Sequence, residues 1–209
     1  MSSACIITGT DTNVGKTVVA AMLVLALKAN YWKPIQCGVA EGVDTKIVQN
    51  YTGLPNERFF PEKYIFTEAL SPHRAAEIDH VKIDLEALQP PESDRPLLIE
   101  GAGGLMVPLT RGALQINHFA RWGVPVILCA RTGLGTLNHT LMSVEALKAR
   151  QIPIHGIIFV GGENPDNIET IAEFTGEKIL GRMPFLAEIN ERTLMQAFAE
   201  NFKLKDFEA

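Results

Sequence analysis

The apolar residues of this chain gather in short continuous runs instead of alternating with polar ones. Residues 5–8, 96–100, 125–130 and 154–160 are such runs, and 31–36 and 179–183 are two weaker ones. A strand that is apolar at successive positions is covered on both faces, which marks a mostly parallel sheet with helices above and below it. Helical stretches alternate with these runs, at residues 17–29, 44–51, 115–122, 137–150, 166–175 and 191–202, with a helical pair expected at 73–78 and 83–88. Asn138 or Thr136 stands where it can cap the 137–150 helix. Residues 53–72 contain Pro55, Pro61 and Pro72 and read mostly as loop. Residues 101–104, Gly-Ala-Gly-Gly, read as a turn closing the 96–100 strand. No repeat or linker divides the chain, so residues 1–209 are expected to form one doubly wound α/β domain.

The strongest chemical signal lies between the first strand and the first helix, in Gly9-Thr10-Asp11-Thr12-Asn13-Val14-Gly15-Lys16-Thr17. A glycine-bordered loop opening a helix turns backbone N–H groups and the positive end of the helix dipole towards an anion. Lys16 is expected to reach the β- and γ-phosphates of a nucleotide, and Thr17 to offer its hydroxyl to Mg²⁺. The spacing is a variant, with five residues between Gly9 and Gly15 where the usual phosphate loop has four. A carboxylate is needed beside such a hard cation. Glu100, at the carboxyl end of an apolar strand, is the first candidate, because ligands of open α/β sheets bind outside those ends. Asp44, at a helix start, reads either as a second ligand or as an ordinary cap. Lys33, at the end of the second strand, reads either as a group that stabilises a transferring phosphoryl or as a solvated edge lysine.

Composition narrows the field. Nineteen basic residues against 24 acidic give a net charge of −5, so backbone-driven nucleic-acid binding is not expected. Cys5, Cys37 and Cys129 are far apart and form no C-x-x-C pair, so no zinc knuckle or dithiol motif is present. The longest apolar run, residues 18–27, is about half of the ~20 residues a membrane span needs. A cytoplasmic protein with no membrane association is expected.

Six segments in order resemble the dethiobiotin synthetase family, and together they span most of the chain. They are the loop from Thr8 to Thr17, Lys33-Pro34-Ile35…Gly38, Ser71-Pro72-His73, Glu100-Gly101-Ala102-Gly103-Gly104, Leu134-Gly135-Thr136-Leu137-Asn138-His139, and Leu180-Gly181…Pro184…Leu186. The resemblance implies a P-loop ATPase fold and an ATP-dependent ligase of biotin biosynthesis. Its substrates would be 7,8-diaminopelargonic acid and CO₂, and its products dethiobiotin, ADP and phosphate, formed through a carbamate and a carbamic–phosphoric anhydride. It implies catalytic roles for Thr12, Lys16 and Lys33, and Mg²⁺ held by Thr17, Asp44 and Glu100. ATP would lie against Asn13, Val14, Gly15, Lys16, Thr17, Val18, Asp44, Glu100, Gly101, Ala102, Gly103, Pro184, Phe185 and Leu186. The diamine would meet Lys33 and Cys37, and its carboxylate would meet Gly135, Thr136, Leu137 and Asn138 across a homodimer interface. Three positions depart from the family pattern. Asn13 replaces a glutamate of some members, and Cys37 replaces the usual serine or threonine. Val160-Gly161-Gly162 replaces the stretch where members often carry an adenine-reading asparagine. The competing reading on the same fold is a partner-regulated ATPase like ParA and MinD. Those proteins carry a lysine five residues before the loop lysine, and here that position is Asp11.

Overall fold

The computed structural model describes residues 4–40 and 42–207. In chain order its elements are β1 (Ala4–Gly9), α1 (Lys16–Ala26), β2 (Asn30–Trp32), β3 (Ile35–Cys37), α2 (Asp44–Thr52), β4 (Phe59–Phe60), β5 (Tyr64–Phe66), α3 (Pro72–Ile78), β6 (Leu97–Gly104), β7 (Pro108–Thr110), β8 (Ala113–Leu114), α4 (Gln115–Trp122), β9 (Val126–Arg131), α5 (Thr136–Lys148), β10 (Ile154–Val160), α6 (Pro165–Thr175), β11 (Ile179–Met183) and α7 (Glu191–Asn201). Seven strands form the main sheet in the order β11-β10-β9-β1-β6-β2-β4, and every pair in it is parallel.

The apolar runs are explained by burial on both faces. Ile7, Leu98, Ile127 and Ile158 point to one side and pack with residues of α1, α2 and α7. Their chain neighbours Ile6, Ile99, Leu128 and Ile157 point to the other side, against α4, α5 and α6. Two layers of helix therefore sandwich the sheet, as the continuous runs required. Among the described residues no helix is long and apolar enough to cross a membrane.

Several expectations need correction. The 17–29 helix stops at Ala26, because Lys28 turns left-handed (φ 51°) and the amides of Lys28 and Ala29 close back onto Leu25 and Val24. This helix-ending pair of bonds usually uses glycine, so the sequence carried no stop signal. The 31–36 strand is two strands broken at Lys33-Pro34. Proline has no N–H for the ladder, and its carbonyl instead accepts from the amides of Lys63 and Tyr64. Beyond it, β3 leaves the main sheet and pairs with β5. The 53–72 stretch thus contains two short strands and a 3₁₀ turn at Asn56–Arg58.

Residues 83–88 form no helix. The Asp84 carboxylate takes the Glu86 amide at 3.0 Å, and the Leu88 carbonyl turns outward to the side chains of His118 and Trp122. Ile83 and Leu88 serve as two buried anchors of a loop. The Gly-Ala-Gly-Gly segment is not a turn but the continuation of β6. The Gln115 side-chain amide bonds both the N–H and the carbonyl of Ala102 and also the Gly104 carbonyl, standing in for a neighbouring strand. Neither Thr136 nor Asn138 caps α5. Gly135 occupies the cap position (φ 89°), and the Thr136 hydroxyl donates backwards to the Arg131 carbonyl at 2.5 Å.

Candidate active site

The loop from Gly9 to Gly15 leaves β1, the central strand, and enters α1. Gly15 is left-handed (φ 100°), and a Cβ there would stand 2.8 Å from the Val160 side chain, so backbone and space both require glycine. Asn13 is also left-handed (φ 55°), a conformation asparagine tolerates. The Asp11 carboxylate takes the Thr12 amide at 2.7 Å, and Arg131 donates to the Thr12 carbonyl at 2.9 Å, bracing the loop against the end of β9. Lys16 folds back over the loop and donates to the Asp11 carbonyl at 3.2 Å. Burial lowers its pKa, and Glu100 works against that shift.

β2 and β6 are neighbours, with Tyr31 opposite Leu98 and Trp32 opposite Ile99. Tyr31 and Leu98 share the face covered by α1, and Glu100 follows Leu98 on that face at the carboxyl end of the strand. Glu100 is 1 % exposed, and three groups converge on it. The Thr17 hydroxyl donates to Oε1 at 2.9 Å, the Lys33 ammonium donates to the same oxygen at 3.2 Å, and the Tyr31 hydroxyl donates to Oε2 at 2.9 Å. Lys33 also pairs with Asp44. Asp44 opens α2 as its first residue, not as its cap, and its amide is received by the Gln36 side-chain oxygen at 3.2 Å. Burial works against the Lys33 charge, but Glu100 and then Asp44 more than offset it, so its pKa is raised. Burial, followed by the charge of Glu100, raises that of Tyr31 and keeps its hydroxyl protonated.

These groups open into a cleft of about 1040 Å³. Thr12, Asn13, Gly15, Lys16, Thr17, Val18, Lys33, Cys37, Asp44, Glu100, Ala102 and Gly103 all line it, together with residues 67–72. Lys33 is thus buried within the site and is no solvated edge lysine. Burial pushes the Cys37 thiol up to about 11, so it faces the cleft as a neutral group. Val14 is packed in the core beneath the loop, and Gly101 lies against Phe119 and Gln115. Neither lines the cleft, and neither do Gly135, Thr136, Leu137, Asn138, Pro184, Phe185 or Leu186.

Sequence reasoning missed Tyr31, Gln36 and Arg131. Arg131 carried the same signal that singled out Glu100, a charge at the end of an apolar strand. Gln36 was a polar residue in a short strand. Tyr31 carried no signal until the strand order was known.

A family model described as an AAA domain matches residues 3–193. A relative from Rhodopseudomonas palustris named ATP-dependent dethiobiotin synthetase BioD is 52% identical over 207 residues, covering 99% of this chain and 97% of its own. Relatives of the same name from Brucella anthropi and Afipia carboxidovorans are 52% and 50% identical, over 99% and 100% of this chain and 98% and 100% of theirs. The chain belongs to the dethiobiotin synthetase family. Its fold is shared more widely. A ParA family ATPase from Chlorobium tepidum superposes with a TM-score of 0.54 at 12% identity, over 95% of this chain and 98% of that one. MinD from Pyrococcus horikoshii, complexed with Mg-ADP, superposes with a TM-score of 0.54 at 15% identity, over 94% and 86%. At such identities the likeness is one of fold alone.

Proposed function

We propose that the chain joins CO₂ to 7,8-diaminopelargonic acid and closes the ureido ring of dethiobiotin at the expense of ATP. The observation that carries this reading is the cluster of Lys33, Asp44, Glu100 and Thr17 beside a phosphate loop, in a chain of this family. The ParA/MinD-like reading rests on fold alone and meets Asp11 where those proteins carry a lysine.

The donor set fits Mg²⁺. Thr17, Asp44 and Glu100 offer hard oxygens, and a cation, the Lys33 ammonium, already lies among them. Two carboxylates do not make an all-protein cage, but Mg²⁺ commonly takes one or two carboxylates and completes its shell with phosphate and water. When bound it supplies charge that offsets the phosphates.

The chemistry has three steps. One amine of the substrate adds to CO₂ and loses a proton, giving a carbamate. A carbamate oxygen attacks the γ-phosphorus of ATP, forming the carbamic–phosphoric anhydride and releasing ADP. The second amine attacks the carbonyl carbon and loses a proton, and the P–O-bonded phosphate departs as the ring closes. Lys16 and Lys33 stabilise the transferring phosphoryl group, and Thr12 faces it from the loop. Cys37 contacts the substrate as a neutral thiol. Holding two amines beside one phosphoryl is a problem of proximity, which a cleft walled by residues 67–72 answers.

The uncapped start of α5, from Gly135 to Asn138, receives the substrate carboxylate on the partner of a homodimer, which accounts for its place outside this chain's own cleft. Pro184, Phe185 and Leu186 meet the base. The test is product analysis with purified protein, diamine, bicarbonate and ATP. Dethiobiotin and ADP are expected in equal amounts from the native chain and none from Lys16→Ala. ATP hydrolysis without ring product refutes the reading.

A further inference from the structure

We infer that Tyr31 is a positioning residue for the metal-binding carboxylate: its buried hydroxyl fixes which oxygen of Glu100 faces the cleft. The inference rests on Glu100 being a cation ligand, as proposed above.

Tyr31 is fully buried in the core beneath α1, with its ring edge-on to Phe59 at 6.2 Å. Packing alone would be served by phenylalanine, and a buried hydroxyl must find a partner. The partner here is Glu100 Oε2, at 2.9 Å. The strand register explains the reach. Tyr31 lies opposite Leu98, and Glu100 is the next residue of β6 on that face, roughly 7 Å further along. The long phenol spans that step from behind. With Oε2 held at the back, Oε1 is left to Thr17 and Lys33 at the cleft. A carboxylate free to rotate would divide both oxygens between these partners. Groups that orient metal ligands in this way typically govern affinity by 10–100-fold.

The test is Tyr31→Phe, which keeps the ring and removes only the hydroxyl. Mn²⁺ binding to the ADP complex is followed by electron paramagnetic resonance, and ADP binding is measured separately in EDTA. The expected result is a rise of about tenfold or more in the Mn²⁺ Kd, with the metal-free ADP Kd unchanged. Glu100→Gln and the double variant complete a cycle. Because Tyr31 acts through Glu100, adding Tyr31→Phe to Glu100→Gln should weaken Mn²⁺ binding little further. Weakened binding in Glu100→Gln with none in Tyr31→Phe overturns the role of Tyr31 and leaves the metal site standing. No weakening in either overturns the metal assignment itself. Additive losses, or an equal loss of metal-free ADP binding in Tyr31→Phe, show general damage and overturn positioning.

Discussion

Replacing Lys33 by methionine tests the electrostatics of the site before any turnover occurs. Methionine keeps an unbranched stem of similar length, so the main loss is the ammonium. The Lys33, Glu100 and Asp44 side chains are 7%, 1% and 23% exposed. Without Lys33, two carboxylates share a largely buried space with no cation between them. Breaking a buried pair in this way costs about 3–5 kcal/mol. The partial exposure of Asp44 moves the expectation to the lower end, about 3 kcal/mol. At this chain length that is a fall in Tm of roughly 6–12 °C. The assay is thermal unfolding by circular dichroism in EDTA. Mg²⁺ with ADP should narrow the gap to the native chain, because a cation returns to the carboxylates. Lys33→Met with Glu100→Gln should be less destabilised than Lys33→Met alone, since one uncompensated charge is gone. A Tm within about 2 °C of the native value in EDTA would mean that water reaches these carboxylates freely and that the site is not the low-dielectric pocket described.

Asp44→Asn and Glu100→Gln should each raise the Mg²⁺ concentration for half activity, because the amide keeps the size and loses the charge; unchanged metal dependence in both makes them structural carboxylates. Mixing inactive Lys16→Ala with inactive Asn138→Ala should restore part of the activity through one intact composite site, and no recovery after verified subunit exchange excludes a shared site. Alkylation of Cys37 by iodoacetamide, read by peptide mass spectrometry, should be slow at pH 8 and climb towards pH 11, since a thiol pushed up to about 11 forms thiolate only there; a midpoint near an ordinary thiol pKa refutes the burial of Cys37. Discrimination between ATP and CTP or GTP in kcat/KM should stay under roughly a hundredfold. Asn164 and Asn167 both spend their amides on the Thr132 carbonyl, and the Gly161 carbonyl is taken by Arg182; a thousandfold preference would reveal base-reading groups elsewhere.

The central strands were legible because burial on two faces leaves little room for polar positions, and β10 runs over the residues the pattern marked; β11, at the edge and with Arg182 in it, gave the weaker signal. What escaped was local geometry set by tertiary partners. The end of α1 at Lys28 has no glycine to announce it. The extension of β6 through its glycines depends on Gln115, 11 residues beyond Gly104, lending its amide as a false strand. The loop at 83–88 has helical composition, but its carbonyl at Leu88 is claimed by α4. In the site, the phosphate loop could be read from its own residues, because it is a local motif. Around Glu100 the residues Thr17, Lys33 and Asp44 were named, but the part played by Tyr31 needs β2 beside β6, and strand order is a property of the folded sheet.

That adjacency also bears on the proposed Mg²⁺ site, which would fill with the nucleotide and not in the resting chain. The charged side chains lining the site are Lys16 and Lys33 against Asp44, Glu68 and Glu100, so no positive charge is in excess. Lys33 alone ties Asp44 and Glu100, and Lys16 is occupied by its own loop's carbonyl. A polyphosphate entering this pocket brings further negative charge close to Glu100, where little water remains to screen it. If Lys16 and Lys33 turn to the phosphates, they leave Asp44 and Glu100 bare, and the charge imbalance grows. A hard cation arriving with the nucleotide would answer both needs at once, with Thr17, Asp44 and Glu100 to hold it and its charge to offset the phosphates, leaving Lys33 to the transferring group. On that proposal the lysine stands where the cation would be held, and nucleotide should bind the chain more weakly in EDTA than with Mg²⁺.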